Sequence, residues 1–143
     1  MDDDEVRAFL TAERIVNVAT IGPTGHPHVM PMWFAVIDGK ISFTTYGKSQ
    51  KIVNLLRDPK VTALVESGDT YEELKGVELL GRGVIVDDAE ETESIGRAIG
   101  EKYSSGVPSA APTASVKATR RVAVVIEVDK TVSWDHSKLR GKY

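Results

Sequence analysis

Apolar positions recur along this chain first at helical spacing, then in alternation. In 2–13, Val6, Phe9 and Leu10 share one helical face. Acidic residues fill the first turn there, where the helix dipole favours them, and a short helix is predicted. Residues 14–21 are a β-rich run carrying Ile15, Val16, Val18 and Ile21. Gly22, Pro23, Thr24 and Gly25 then read as a turn. Strands are predicted over 27–37 and 40–46, either side of the hairpin signal Asp38-Gly39. A short amphipathic helix over 49–57 stops at Asp58-Pro59. Further strands are expected over 61–66 and 77–86. Gly81 and Gly83, inside the second of these, suggest a bulge or a close backbone approach. A helix over 89–103 points Ile95 and Ile99 inward, and the Ser-, Ala- and Pro-rich stretch 104–115 reads as a loop. A sixth strand covers 121–128 and a seventh 132–134. Short strands at close spacing with hairpin turns predict a mainly β fold, an antiparallel barrel of about six to seven strands flanked by helices.

Composition narrows the function. At 143 residues, 1–143 is expected to be one domain. A net charge of −3 offers no basic stripe for nucleic acid. No apolar run approaches the roughly 20 residues of a membrane span. The acidic start Met1-Asp2-Asp3-Asp4-Glu5 is the reverse of a signal peptide, so a cytoplasmic location is expected. The absence of cysteine removes disulfides, a thiolate nucleophile and zinc–cysteine clusters.

Candidate chemistry concentrates in 44–58, TTYGKSQKIVNLLRD. A strand ends, and Lys48, Ser49 and Lys51 gather where a helix begins. Helix N-termini present unpaired N–H groups and the positive end of the macrodipole, which suits a phosphate. Two lysines at that end oppose the dipole, and a bound anion relieves the conflict. Taken alone they also fit ordinary solvated lysines. Asn54 lies three residues after Lys51, so both are expected on one side of the helix, with Ile52, Val53, Leu55 and Leu56 packing on the barrel.

On the second strand, alternation puts Met30, Met32 and Phe34 on one face and Val29, Pro31 and Trp33 on the other. One set fills the barrel and the other faces outward, where Trp33 fits a subunit interface or the side of a flat ring. Pro31 lacks an N–H and is not expected on a centrally paired strand. His26 and His28 flank Pro27 without a third ligand at sensible spacing, so no metal site is expected. His136 lies in a C-terminal tail with Trp134 and Asp135. No Ser–His–Asp arrangement is readable, and no catalytic residue is assigned.

The segments RIVNVATIGPTGHPH at 14–28, PMWF at 31–34, KSQK at 48–51 with Asn54 and RDP at 57–59, and SWDHSKL at 133–139 resemble a known pattern. They are similar to the pyridoxamine-phosphate-oxidase-like, FMN-binding split β-barrel superfamily, and within it to the deazaflavin-dependent reductases that use coenzyme F420. The resemblance implies a homodimer with two cofactor sites at its interface. It further implies cofactor contacts from Lys48, Ser49, Lys51 and Asn54 at the phosphate, with Met30, Pro31, Met32 and Trp33 along the ring. Tyr71 and Lys75 of the other subunit would close the site. The implied activity is hydride transfer between reduced F420 and a small conjugated or quinone-like substrate. Two other readings stay open: an FMN-binding flavin reductase or pyridoxamine-phosphate-oxidase-like protein, and a non-catalytic protein binding a cofactor or haem.

Overall fold

The computed structural model describes residues 1–104 and 120–142. Helix α1 (Asp3–Ala12) precedes strands β1 (Ile15–Ile21), β2 (Pro27–Trp33), β3 (Ala35–Ile37) and β4 (Lys40–Tyr46). Helix α2 (Gln50–Arg57), strands β5 (Lys60–Ser67) and β6 (Lys75–Val86), helix α3 (Ala89–Ser104) and strand β7 (Arg121–Asp135) follow. Short 3₁₀ turns cover Tyr71–Glu73 and His136–Leu139. The stretch expected to loop from 104 lies, beyond Ser104, outside the described residues.

The local signals work as expected. Asp2 and Glu5 form a reciprocal capping box at α1, with hydrogen bonds of 2.7 and 2.8 Å. Asp38 and Gly39 both take positive φ, as the tight turn between β3 and β4 requires. The expected bulge in β6 is present, because its register with β7 shifts between Leu80 and Gly81.

All seven strands pair antiparallel in the order β2-β1-β5-β6-β7-β4-β3. The two edge strands, β2 and β3, are separated in sequence by Phe34 alone. Two residue steps span at most about 7 Å, so the sheet must curl until its edges approach each other. The result is a split barrel. Its interior is filled by Phe34, Phe43, Ile41, Val16, Val18, Val65, Val77, Val124 and Ile126, all under 2% exposed. A second cluster packs Ile95 and Ile99 of α3 on Ala35 and Ala123, outside the barrel.

Two boundaries differ from expectation. The run 27–37 is two strands, not one, because Phe34 turns inward and redirects the chain from one sheet edge to the other. The separate strands expected over 121–128 and 132–134 are one, Arg121–Asp135, since β6 is long enough to pair along all of it. Among the described residues no helix is long and apolar enough to cross a membrane.

Candidate functional site

Helix α2 lies against β1 and β6, with Leu55 resting on Gly83. Ser49 is its N-cap, and the N–H groups of Ile52 and Val53 both reach the Ser49 carbonyl at 3.1 Å. The Ser49 hydroxyl makes no capping bond; it accepts instead from Thr45 Oγ1 at 3.3 Å. The N–H groups of Gln50 and Lys51, at the start of α2, are therefore not covered by the cap.

The inward face of α2 differs from the expected one. Lys51, Ile52, Asn54 and Leu55 are buried, whereas Val53 and Leu56 are exposed. Asn54 is wholly buried. Its Nδ2 donates to Thr20 Oγ1 at 3.0 Å, and its Oδ1 accepts from Gln50 Nε2 at 2.8 Å and Arg57 Nη2 at 3.3 Å. Arg57 also donates to the Ile21 carbonyl. A polar residue is tolerated there because its hydrogen bonds are made inside the fold. The expected exposed row of Lys51 and Asn54 is thus corrected to an interior one.

Lys51 is 6% exposed, and among the described residues it has no hydrogen bond or ion pair. Burial alone lowers its amine below the ordinary lysine value. The ammonium tip is not sealed from solvent. A buried cation without a counter-charge is costly, and an incoming anion removes the cost. Lys48, one turn of chain earlier, is exposed.

Thr20, bonded to Asn54, stands opposite His28 in the β1–β2 ladder. Nδ1 of His28 is buried without a hydrogen-bond partner, the sole such side-chain nitrogen or oxygen among the described residues. Among the described residues no group of three or more potential metal-ligating side chains stands together. The pairing with a buried threonine on β1 is set by strand register, which local sequence pattern does not show.

From His28, β2 continues through Met30, Pro31 and Met32 to Trp33, which stands opposite Ile15. The alternation holds in part: Met32 packs on the barrel core and Phe34 is fully buried, while Val29 and Trp33 face outward, 55% and 59% exposed, but Met30, expected beside Met32, is 41% exposed. Pro31 sits on an edge strand, where its missing N–H is harmless. Trp33 stacks on Tyr103 of α3, with centroids 4.4 Å apart and planes inclined 12°.

Tyr71 and Lys75 lie at the far end of the barrel. Lys75 opens β6 opposite Asp135, 3.6 Å from its carboxylate, and the His136 ring packs on Tyr71 with centroids 4.6 Å apart. The eight steps of β6 from Lys75 to Gly83, under α2, span roughly 25 Å. Within one chain, then, Lys48, Ser49, Lys51 and Asn54 gather at the start and buried side of α2, while Tyr71 and Lys75 stay distant. On the other flank of α2 a cavity of about 560 Å³ is bordered by Tyr46, Lys48, Ile52, Leu56 and the Arg120–Asp87 ion pair. Lys48 alone of the expected site residues reaches it.

An uncompensated lysine at the start of α2 and an orphaned imidazole nitrogen, linked to α2 through Thr20 and Asn54, suit a ligand that brings an anion and further polar groups. The crystal structure of conserved hypothetical protein Rv2991 from Mycobacterium tuberculosis superposes with a TM-score of 0.88 at 42% identity, covering 100% of this chain and 90% of that one. A structure described as an F420 reductase shares 28% identity, with a TM-score of 0.68 over 88% of this chain and 94% of that one. A FAD-binding protein from Mesorhizobium loti shares the fold at 20% identity, with a TM-score of 0.71 over 93% of this chain and 94% of that one. A comparison with curated proteins found no match. The sequence profile of the pyridoxamine 5'-phosphate oxidase family matches residues 2–135, nearly the whole chain, and this protein belongs to that family.

Proposed function

We propose that this chain is an oxidoreductase that binds coenzyme F420 and passes hydride between it and a small conjugated or quinone-like substrate. The observation that carries the reading is Lys51: almost buried, at the start of α2, with no counter-charge among the described residues. A phosphate diester held there would take the Lys51 ammonium, the exposed Lys48 charge, the Ser49 hydroxyl and the first-turn N–H groups of α2. Asn54, with its amide already engaged, would hold α2 in place and reach the ligand only through that scaffold. The ring would lie along Met30, Pro31, Met32 and Trp33. When bound, F420 supplies the hydride chemistry, so the chain itself needs no acid–base constellation.

Support for F420 comes from the 28% identical F420 reductase, which lies above the range where similarity speaks only for the fold. A homodimer fits the outward apolar row Ile15, Ile21, Val29 and Trp33 on β1 and β2. It would also bring Tyr71 and Lys75 of one subunit toward the α2 end of the other. FMN is the second reading, favoured by the family match, and it would use the same phosphate donors.

Titration of the purified protein with F420 and, separately, FMN tests the assignment. Tight F420 binding with weak FMN binding is expected, and the reverse would make the chain a flavoprotein. Binding of neither would overturn the redox reading and leave a non-catalytic binding protein.

A further inference from the structure

His28 stands opposite Thr20 in the β1–β2 ladder, Thr20 is bonded to Asn54 of α2, and Met30 to Trp33 follow His28 along β2. Its side chain shares the barrel-facing side of the strand with Met32 and lies across from Thr20. Thr20 Oγ1 accepts from Asn54 Nδ2. Nδ1 of His28 is buried and has no hydrogen-bond partner. Buried side-chain polar atoms are nearly always paired, so this one calls for a partner that the described residues do not supply.

Resting on the cofactor reading above, we propose that His28 is a binding residue for the hydroxylated chain linking ring and phosphate in a flavin-type cofactor, which it holds through Nδ1. Position is the first argument. Lys51 is one turn of α2 before Asn54, and Asn54 is bonded to Thr20 opposite His28, so a linker joining a phosphate at Lys51 to a ring beside Met30 to Trp33 would pass by His28. Chemistry is the second. A neutral imidazole nitrogen is a donor in one tautomer and an acceptor in the other. A hydroxyl can play either complementary part, whereas a phosphate oxygen can only accept. The residue therefore selects polyol-bearing ligands over flat rings that lack the chain, since a site built around a hydrogen bond rejects ligands that leave it unmade.

The test uses F420, its phosphate-free precursor (the deazaflavin ring with its polyol chain) and lumichrome, a flavin ring without a chain. Dissociation constants are read by fluorescence for the wild type, His28→Leu, His28→Asn, His28→Gln and Lys51→Ala. His28→Leu should weaken F420 and the precursor alike, by roughly tenfold, as the loss of one hydrogen bond implies. Lumichrome affinity should not change. His28→Asn, whose amide reaches about as far as Nδ1, should retain binding, whereas the longer His28→Gln should lose it. Lys51→Ala should weaken F420 and spare the precursor. Wild-type affinity for the precursor in both His28→Leu and His28→Gln would overturn the proposal, as would equal losses for the precursor and lumichrome. A wild-type protein that binds neither F420 nor the precursor would instead defeat the cofactor reading, and this one with it.

Discussion

Asn54 Nδ2 donates to Thr20 Oγ1 at 3.0 Å, between two side chains that are both essentially inaccessible to solvent. Through this bond α2 is tied to β1, and Lys51 is presented from a fixed helix instead of a mobile one. Asn54→Ala should cost about 1–3 kcal/mol, because it leaves the Thr20 hydroxyl and the Gln50 amide without their partner. Thr20→Val should cost less, and the double variant should show coupling of about 0.5–3 kcal/mol. Urea midpoints of the four proteins measure the cycle, and strictly additive losses would mean that the bond does not join the elements.

Lys51 should reveal itself by opposite effects on stability and binding. Lys51→Met removes a buried, uncompensated charge and should raise the urea midpoint of the free protein. Inorganic phosphate should raise the wild-type midpoint, because a ligand that binds only the folded state stabilises it. The same phosphate should leave Lys51→Met unmoved. Loss of this contact should weaken a phosphate-bearing ligand by about 1.5–3 kcal/mol. Exposed Lys48 should contribute less, about 0.2–1 kcal/mol. Phosphate stabilisation that survives in Lys51→Met would place the anion elsewhere.

The site was legible in part, and the reasons are physical. The loop from Tyr46 to Lys51 announced itself through turn chemistry and charge, and α2 begins within one residue of expectation. The face of α2 was misread because apolar count is a poor guide on a helix of eight residues. Asn54 is buried where Thr20 and Gln50 satisfy it, and those partners come from tertiary contacts that local pattern does not reveal. His28 was hidden for the same reason, since its neighbour Thr20 is fixed by register. The β2–β3 break was hidden because Phe34 continues the alternation of β2 while the backbone leaves the ladder. The Gly81 bulge was readable, because glycine inside a strand has few other uses.

Stability should depend on pH through Lys102. Its ammonium sits 3.7 Å over the Phe34 ring and donates to the Leu10 carbonyl at 3.3 Å. Burial chiefly, aided by Arg14 and opposed by Glu13, pushes the amine down to about 8 from 10.5. Above about 8 the unfolded chain still holds a proton that the folded one has released, so stability rises with pH. Burial raises the Tyr103 phenol, which acts in the opposite sense above its ordinary 10.0. The clean window therefore runs from about 8 toward 10. Urea midpoints across it should climb in the wild type and climb less in Lys102→Met. An identical climb in both proteins would assign the effect to Lys51, whose amine burial also lowers.

Two glycines of β6 should respond to the same substitution in different ways. A Cβ at Gly83 meets the two terminal methyls of Leu55 at 2.9 Å. Those are the far end of a flexible side chain at the α2 contact, and a rotation relieves the clash. A Cβ at Gly81 lies 2.0 Å from the Glu127 carbonyl oxygen and 2.9 Å from its carbon, which are backbone atoms of the paired strand. They cannot yield without opening the β6–β7 ladder at its bulge. Gly83→Ala should thus cost about 1 kcal/mol, at the low end of overpacking. Gly81→Ala should cost about 3 kcal/mol or more, since it adds lost ladder bonds to overpacking. Urea denaturation gives both values. Backbone hydrogen exchange gives the mechanism: faster exchange at Glu127 and Val128 is expected in Gly81→Ala alone. Equal costs with no change in exchange would mean that the bulge accommodates a side chain, and that glycine at this position serves some other end.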